Sequence, residues 1–319
     1  MKKKKKSLIA KLAMACSLAA LVLSALGLVI VPEDQSHLID DLYAENQHLQ
    51  ERVEALETEL EQLRAVKELD QEQPVELVST FLGAHALPEE YKQDRQGYLD
   101  LLKEQVIPGV AAENLAQFCD VFCETGVFTA QEAEEILRCG QAHGLGAKIH
   151  ADEIHAIGGS QVAGKLRAVS AEHLIAAEEK EIAALAEGGT VAVLLPATSF
   201  YLDKPFARAR DMVNAGVPVA VATDFNPGSC PSLNLQLAMS MGYVKYRMTP
   251  EEILTAVTIN AACSCGLEEK VGTLEVGKQA DLVIWNAPDM EMLVYRFGSN
   301  LVNTVIKKGK TVFRQGESL

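Results

Sequence analysis

From Leu12 to Val31 the chain carries no charge and is rich in Leu, Ala and Val. About 20 such residues are enough to span a bilayer as a helix. Lys2 to Lys6 precede the run, and by the positive-inside rule they would stay cytoplasmic. The period of the pattern then changes. Leu42, Leu49, Leu56 and Leu63 recur every seven residues, and Ile39, Asn46, Val53 and Leu60 form a second series three residues ahead of them. This is an a/d heptad, and a lone Asn at an a position favours a parallel two-stranded coil in register. The alternative is a single amphipathic helix packed on the domain that follows.

Beyond a polar linker from Glu68 to Pro74, short β-rich runs alternate with longer helical ones. Expected strands are Leu77–Leu82, Phe118–Phe122, Ala147–Ile149, Ala168–Ser170, Val191–Leu195 and Val219–Thr223. Expected helices are Ala130–His143, opened by the N-cap Thr129, then Glu178–Glu187 and Phe206–Ala215, each closed by glycine. Alternating strand and helix argues for an α/β fold with a parallel sheet and crossover helices. Six strands leave a closed eight-stranded (β/α) barrel two short. After about Leu267 the pattern turns to short strands with glycine turns, Val271 to Trp285, and a hairpin from Asn303 to Phe313 around Lys308-Gly309-Lys310: a small β module. The expected organisation is an apolar anchor over 1–34, a coiled coil over 35–70, a partial TIM-like barrel over 75–266 and the β module over 267–319.

The 319 residues carry a net charge of −15, which argues against nucleic acid as a partner, since phosphate binding needs clustered Lys and Arg. The seven cysteines are odd in number and include no CxxC, so they suggest reduced core thiols rather than a zinc knuckle or a disulfide framework.

In a parallel barrel, catalytic groups project from the C-terminal ends of strands. Four runs here end that way: Leu82-Gly83-Ala84 leads to His85, Lys148-Ile149 to His150 and Glu153, Val169 to His173, and Ala222-Thr223 to Asp224. A single strand-end histidine is more often a satisfied core residue; four matching placements are harder to dismiss. His150 and Asp224 have the charge and chemistry to coordinate Zn²⁺ or Fe²⁺, with Glu153 as the base for a metal-activated water. His173 can stabilise an oxyanion or orient that water. Backbone N–H groups at Gly228 and Ser229, after Pro227, can bind a substrate carboxylate, although Asp224 to Gly228 also has the composition of a plain turn. His155 is near the site without a strand-end placement and suits a supporting role.

At these residues the sequence resembles the imidazolonepropionases, metal-dependent amidohydrolases of histidine breakdown. The resemblance rests on Phe81 to Ala86, Phe118 to Glu124, Lys148 to Glu153 and Ala222 to Ser229, and spans about Val78 to Phe313. It implies a barrel of the amidohydrolase type, one divalent metal and hydrolytic opening of 4-imidazolone-5-propanoate to N-formimidoyl-glutamate. It implies His150 and Asp224 as metal ligands and Glu153 and His173 as catalytic residues. It also implies His85, Glu153, Asn226, Gly228 and Ser229 as substrate contacts. A small-molecule substrate, a homodimer and a cytoplasmic enzyme are expected; the alternative location is a membrane, through residues 7–31.

One departure stands out. The family carries a His-x-His pair on its first barrel strand, and no His-x-His occurs in this chain. Two protein ligands hold a catalytic zinc poorly. The competing readings are a membrane-anchored coiled-coil scaffold with a non-catalytic domain, and another cyclic-amide amidohydrolase or deaminase.

Overall fold

The alternation of apolar runs with amphipathic stretches does produce a parallel sheet. The computed structural model describes Thr58 and residues 60–317. Six strands run β1 Thr80–Ala84, β2 Phe118–Cys123, β3 Gly146–Ala151, β4 Ser170–His173, β5 Val191–Leu194 and β6 Val219–Val221. They pair in that order, every neighbour parallel.

Side chains alternate across each strand, so each strand has two faces. In β3, Ala147, Ile149 and Ala151 are buried, while Lys148 and His150 between them are half-buried on the other face. Helices cover the apolar face, among them Ala130–Ala142, Gly159–Leu166 and Glu179–Gly188. The last two cross at Gly164 and Gly188, where a Cβ on Gly164 would lie 2.2 Å from the carbonyl oxygen of Ala184. Only glycine permits that approach.

The sheet curls. Flat, five inter-strand steps of about 4.8 Å would put the ends of β1 and β6 about 24 Å apart. Yet the Asp224 carboxylate, just past β6, lies near enough to raise the proton affinity of His85, just past β1. Curvature brings the two rims together, as in part of a barrel.

The expected elements are present with shifted ends. β1 begins three residues later than expected, at Thr80. β4 lies at Ser170–His173 rather than Ala168–Ser170. Its inner face is polar, Ser170 and Glu172, and is satisfied from β3 by Lys148, so an apolar run does not mark it. The C-terminal module is a three-stranded antiparallel sheet: β7 Leu282–Trp285, β8 Val302–Lys307 and β9 Lys310–Arg314. Val271 to Asp281 forms turns rather than the expected short strands. Both sheets lie in one unit, Leu60–Leu319. Glu76, ahead of β1, meets Lys270 at 2.8 Å, Lys307 at 2.7 Å and Lys308 at 3.1 Å, and so ties the barrel strands to the module.

Residues 60–72 are helical. Leu60, an a position of the heptad, is buried against Gly109 of the same chain, and Arg64 pairs with Glu113 at 2.9 Å. This end of the heptad run therefore packs on its own domain, as the alternative reading had it. The apolar anchor and most of the coil fall outside the described residues. Among the described residues no helix is long and apolar enough to cross a membrane.

The helix Ala130–Ala142 between β2 and β3 starts with a capping box, Thr129 and Glu132. Arg95 holds the Glu132 carboxylate from two nitrogens, at 2.6 and 2.7 Å. That guanidinium, with the Thr129 bonds, brings Glu132 down to about 2 against the effect of burial. The folded pKa is depressed, so the contribution exists above the unfolded value of 4.5 and is lost as pH falls toward 2. Glu132→Gln should therefore lower the unfolding free energy at pH 7 by on the order of 1–3 kcal/mol. The gap between variant and wild type in urea midpoints should close as the buffer is taken down to about pH 2–3. An equal gap at both pH values would exclude the charge as its origin.

Candidate functional site

Strand register places the charged groups side by side. His150 of β3 stands level with Phe122 of β2 and Glu172 of β4. His150 Nδ1 lies 3.1 Å from Asp120 Oδ1. An ionised carboxylate only accepts, so Nδ1–H is the donor and Nε2 is the nitrogen a ligand could take once its proton is displaced. Burial alone would strip the imidazolium proton. The Asp120 charge and hydrogen bond, with Glu172 and Asp224, outweigh burial and push His150 up to about 9.

Three histidines converge here. The His150 ring is 5.3 Å from the His173 ring and 6.0 Å from that of His85, which stacks on Phe122 at 5.3 Å. His173 is buried, and its Nδ1 has no hydrogen-bond partner among the described residues. Burial first, then the neighbouring His150 charge, brings His173 down to about 3, so it is neutral at physiological pH. His85 is lowered by the same two causes. Glu153 Oε2 lies 3.8 Å from His173 Nε2, in ion-pair range but longer than a hydrogen bond. Burial raises the Glu153 carboxyl, Asp224 raises it further, and His150 opposes them.

Asp224 sits at φ 55° and His173 at φ 71°, both left-handed, at the points where the chain leaves β6 and β4. Non-glycine residues hold that conformation at a cost, and such strain collects at working sites. Asp224 Oδ2 accepts a 2.6 Å bond from Thr198 Oγ1, on the helix after β5.

In the loop after Asp224 the groups expected to meet a substrate carboxylate are bonded within the loop. The backbone N–H groups of Gly228 and Ser229 both donate to Asn226 Oδ1, at 2.9 and 2.7 Å. Asn226 Nδ2 donates in turn to the Asp224 carbonyl and to Ser229 Oγ, each at 2.8 Å. The loop is closed on itself, so Asn226 shapes it and the two N–H groups are in use. The turn chemistry of Asn, Pro and Gly prevails here.

Other site groups escaped the sequence reading. One ligand atom from each of Asp120, His150 and Glu172 lies within 4.8 Å of the others, a set able to hold a cation. Glu172 is already engaged, by Ser170 Oγ at 2.5 Å, the Ile149 N–H at 3.3 Å and Lys148 Nζ at 3.4 Å. Burial raises its carboxyl and Lys148 opposes that. Asp120 therefore holds the imidazole at Nδ1, and the Glu172 and Asp224 carboxylates lie close enough for their charges to act on it. An oriented imidazole and a carboxylate held by a hydroxyl are donors of the kind a divalent ion takes.

Carboxylate partners of a ligating histidine are typically worth about 10- to 100-fold in metal affinity. Asp120→Asn should weaken zinc binding by about that factor, read by titration against a competing chelator. Affinity equal to wild type would remove Asp120 from the site.

The amidohydrolase family profile matches residues 102–312. The chain is 49% identical to the imidazolonepropionase of Alkaliphilus oremlandii (strain OhILAs) over 262 residues, 82% of this chain and 62% of that protein. It is 51% identical to the imidazolonepropionase of Shouchella clausii (strain KSM-K16), over 82% of this chain and 59% of that one. The chain thus spans about six tenths of the length of these curated relatives. Among solved structures it is similar in fold to an adenosine deaminase from Xanthomonas campestris with bound zinc. That match has a TM-score of 0.64 at 19% identity and covers 78% of this chain and 63% of the deaminase. A Xaa-Pro dipeptidase matches with a TM-score of 0.59 at 17% identity, covering 79% of this chain and 72% of that one.

Proposed function

This chain belongs to the amidohydrolase family, and from that membership we propose that its barrel rim opens the imidazolone ring of 4-imidazolone-5-propanoate by hydrolysis, giving N-formimidoyl-L-glutamate. The observation that carries the reading is the convergence of His85, His150, Glu153, His173 and Asp224 on one mouth. The 49% identity with an imidazolonepropionase over 262 residues supports the substrate.

His150 through Nε2 and Asp224 through its carboxylate would hold zinc or iron. When bound, such an ion would supply Lewis-acid activation of a water, whose pKa falls from 15.7 toward about 7. Glu153 accepts a proton from the attacking water. Burial favours its protonated form, which suits it to hold that proton and deliver it to the departing ring nitrogen. Water adds across the C–N bond, so the proton taken and the proton given balance. His173, neutral and buried, offers an N–H to the oxygen that gains charge. His85, stacked on Phe122, bounds the substrate on the β1 side. Asn226, Gly228 and Ser229 bound it on the β6 side. The Ser229 hydroxyl and the two N–H groups serve the substrate carboxylate only as the Asn226 amide yields them.

Two protein ligands predict weak metal retention, so the assay supplies metal in excess. Purified full-length chain with added zinc or iron should convert imidazolone propanoate to formimidoyl-glutamate, seen as loss of the ring chromophore. Adenosine and unrelated cyclic amides should not be turned over. No conversion above the metal-only control, with either ion, would overturn the reading. A cytoplasmic location goes with this function. Dimerisation through the heptads and attachment through residues 7–31 are proposals for the segment ahead of Leu60; sedimentation and membrane fractionation test them.

A further inference from the structure

Glu124 follows the last residue of β2, yet its carboxylate is 2% exposed and carries four hydrogen bonds. Oε1 accepts from the Thr125 N–H at 2.8 Å and from His155 Nδ1 at 2.9 Å. Oε2 accepts from the Ile154 N–H at 2.9 Å and the His155 N–H at 3.1 Å. Three of the four donors belong to the loop that leaves β3. The residue on the other side of Glu153 is anchored too. Asp152 is fully buried at φ 51°, its carboxylate accepts from Ser160 Oγ, and its carbonyl accepts from the Ala176 N–H at 2.7 Å. Glu153 is therefore the one residue of Asp152–His155 that neither clamp takes, and its side chain faces His173.

We propose that Glu124 is a positioning residue: it clamps the backbone of Ile154 and His155 so that the Glu153 carboxylate is held toward the His150–His173 side of the mouth. The proposal deepens the hydrolase reading and rests on it for the role of Glu153. The physical reason is geometric. Ile154 and His155 are exposed, so nothing else in their burial fixes this turn. Bonds to an ionised acceptor are about twice as strong as neutral ones. Both oxygens are needed, because each takes two donors. An amide in place of the carboxylate keeps the shape but turns one acceptor into a donor facing two donors.

The test begins with the wild-type full chain, by hydrogen exchange at residue resolution. The amides of Ile154 and His155 should be protected by about tenfold or more over an unstructured segment, although their side chains are exposed. Exchange at the unprotected rate would overturn the proposal without any variant. In Glu124→Gln that protection should be lost selectively, with β2 and β3 amides unchanged. kcat for ring opening should fall about 10- to 100-fold, as expected for a misplaced catalytic group, with KM within about threefold. His155→Ala keeps both backbone bonds and should keep the protection and most of kcat. Uniform loss of protection across the sheet in Glu124→Gln, or unchanged exchange at 154 and 155, would show a merely structural role. A chain that does not open the ring at all defeats the hydrolase reading, whereas the exchange pattern alone decides the clamp.

Discussion

His150→Ala should reduce bound zinc to background and ring opening by about 10³-fold or more, a larger loss than the 10- to 100-fold typical of a supporting partner. In the proposed function its imidazole and the Asp224 carboxylate are the two ligands, and a lone carboxylate holds an ion poorly. The variant also strands Asp120, a carboxylate 3% exposed that loses its donor. A second readout follows from charge. In the metal-free chain the folded pKa of His150 is raised to about 9 from 6.5. The stabilisation by the imidazolium is therefore whole below pH 6.5 and fades as pH rises through 9. Metal-free wild type should exceed the variant in stability by about 1–3 kcal/mol at pH 6 and by little at pH 10. The same proton competes with metal, so wild-type zinc affinity should rise about tenfold per pH unit between about pH 7 and 8. Zinc bound equally by both proteins, at any pH, would remove His150 from the centre.

Glu153→Gln should leave zinc binding intact and lower kcat by about 10²- to 10⁴-fold, the usual worth of a positioned general base. The glutamine keeps size and hydrogen bonding but cannot take a proton from water. The wild-type rate should fall on the acid side as Glu153 protonates. That limb should lie above the ordinary glutamate value of 4.5, because burial and Asp224 raise the group more than His150 lowers it. In Glu153→Gln the limb should vanish. Retention of more than about a tenth of the wild-type kcat would move the base elsewhere; a value of about 3 leaves the neutral His173 imidazole a weak proton acceptor.

These two effects separate because the sites are built differently. His150 is held from its own strand and from β2, by Asp120. Glu153 is on a loop, and its aim depends on neighbours in sequence that are bonded to Glu124 and Ser160. Loss of the first removes a ligand; loss of the second removes a proton carrier and leaves the ligands in place.

The strand-end histidines and Asp224 were legible because polar residues closing apolar runs form a local pattern, complete within a few residues. The six strands were legible for the same reason, through period and glycine punctuation. Asp120 was not. It sits inside Phe118-Cys119-Asp120-Val121-Phe122-Cys123, a run that otherwise marks a buried strand. A carboxylate there is expensive to bury without a partner, and that cost was the one available signal. Lys148 and Glu172 carried a weaker one, opposite charges on successive strands that meet at 3.4 Å. Thr198 carried none, since nothing along the chain links it to Asp224.

By itself, then, the sequence determined that six short β-rich runs form parallel strands and that polar residues follow close on their C-terminal ends. Tertiary structure decided which oxygens and nitrogens meet across strands, and that β1 and β6 curl toward one another. The reason is range. Periodicity and turn chemistry act between residues a few positions apart, whereas Asp120–His150 and Glu124–Ile154 pairs are each 30 positions apart, and sheet register with curvature alone brings them within a hydrogen bond.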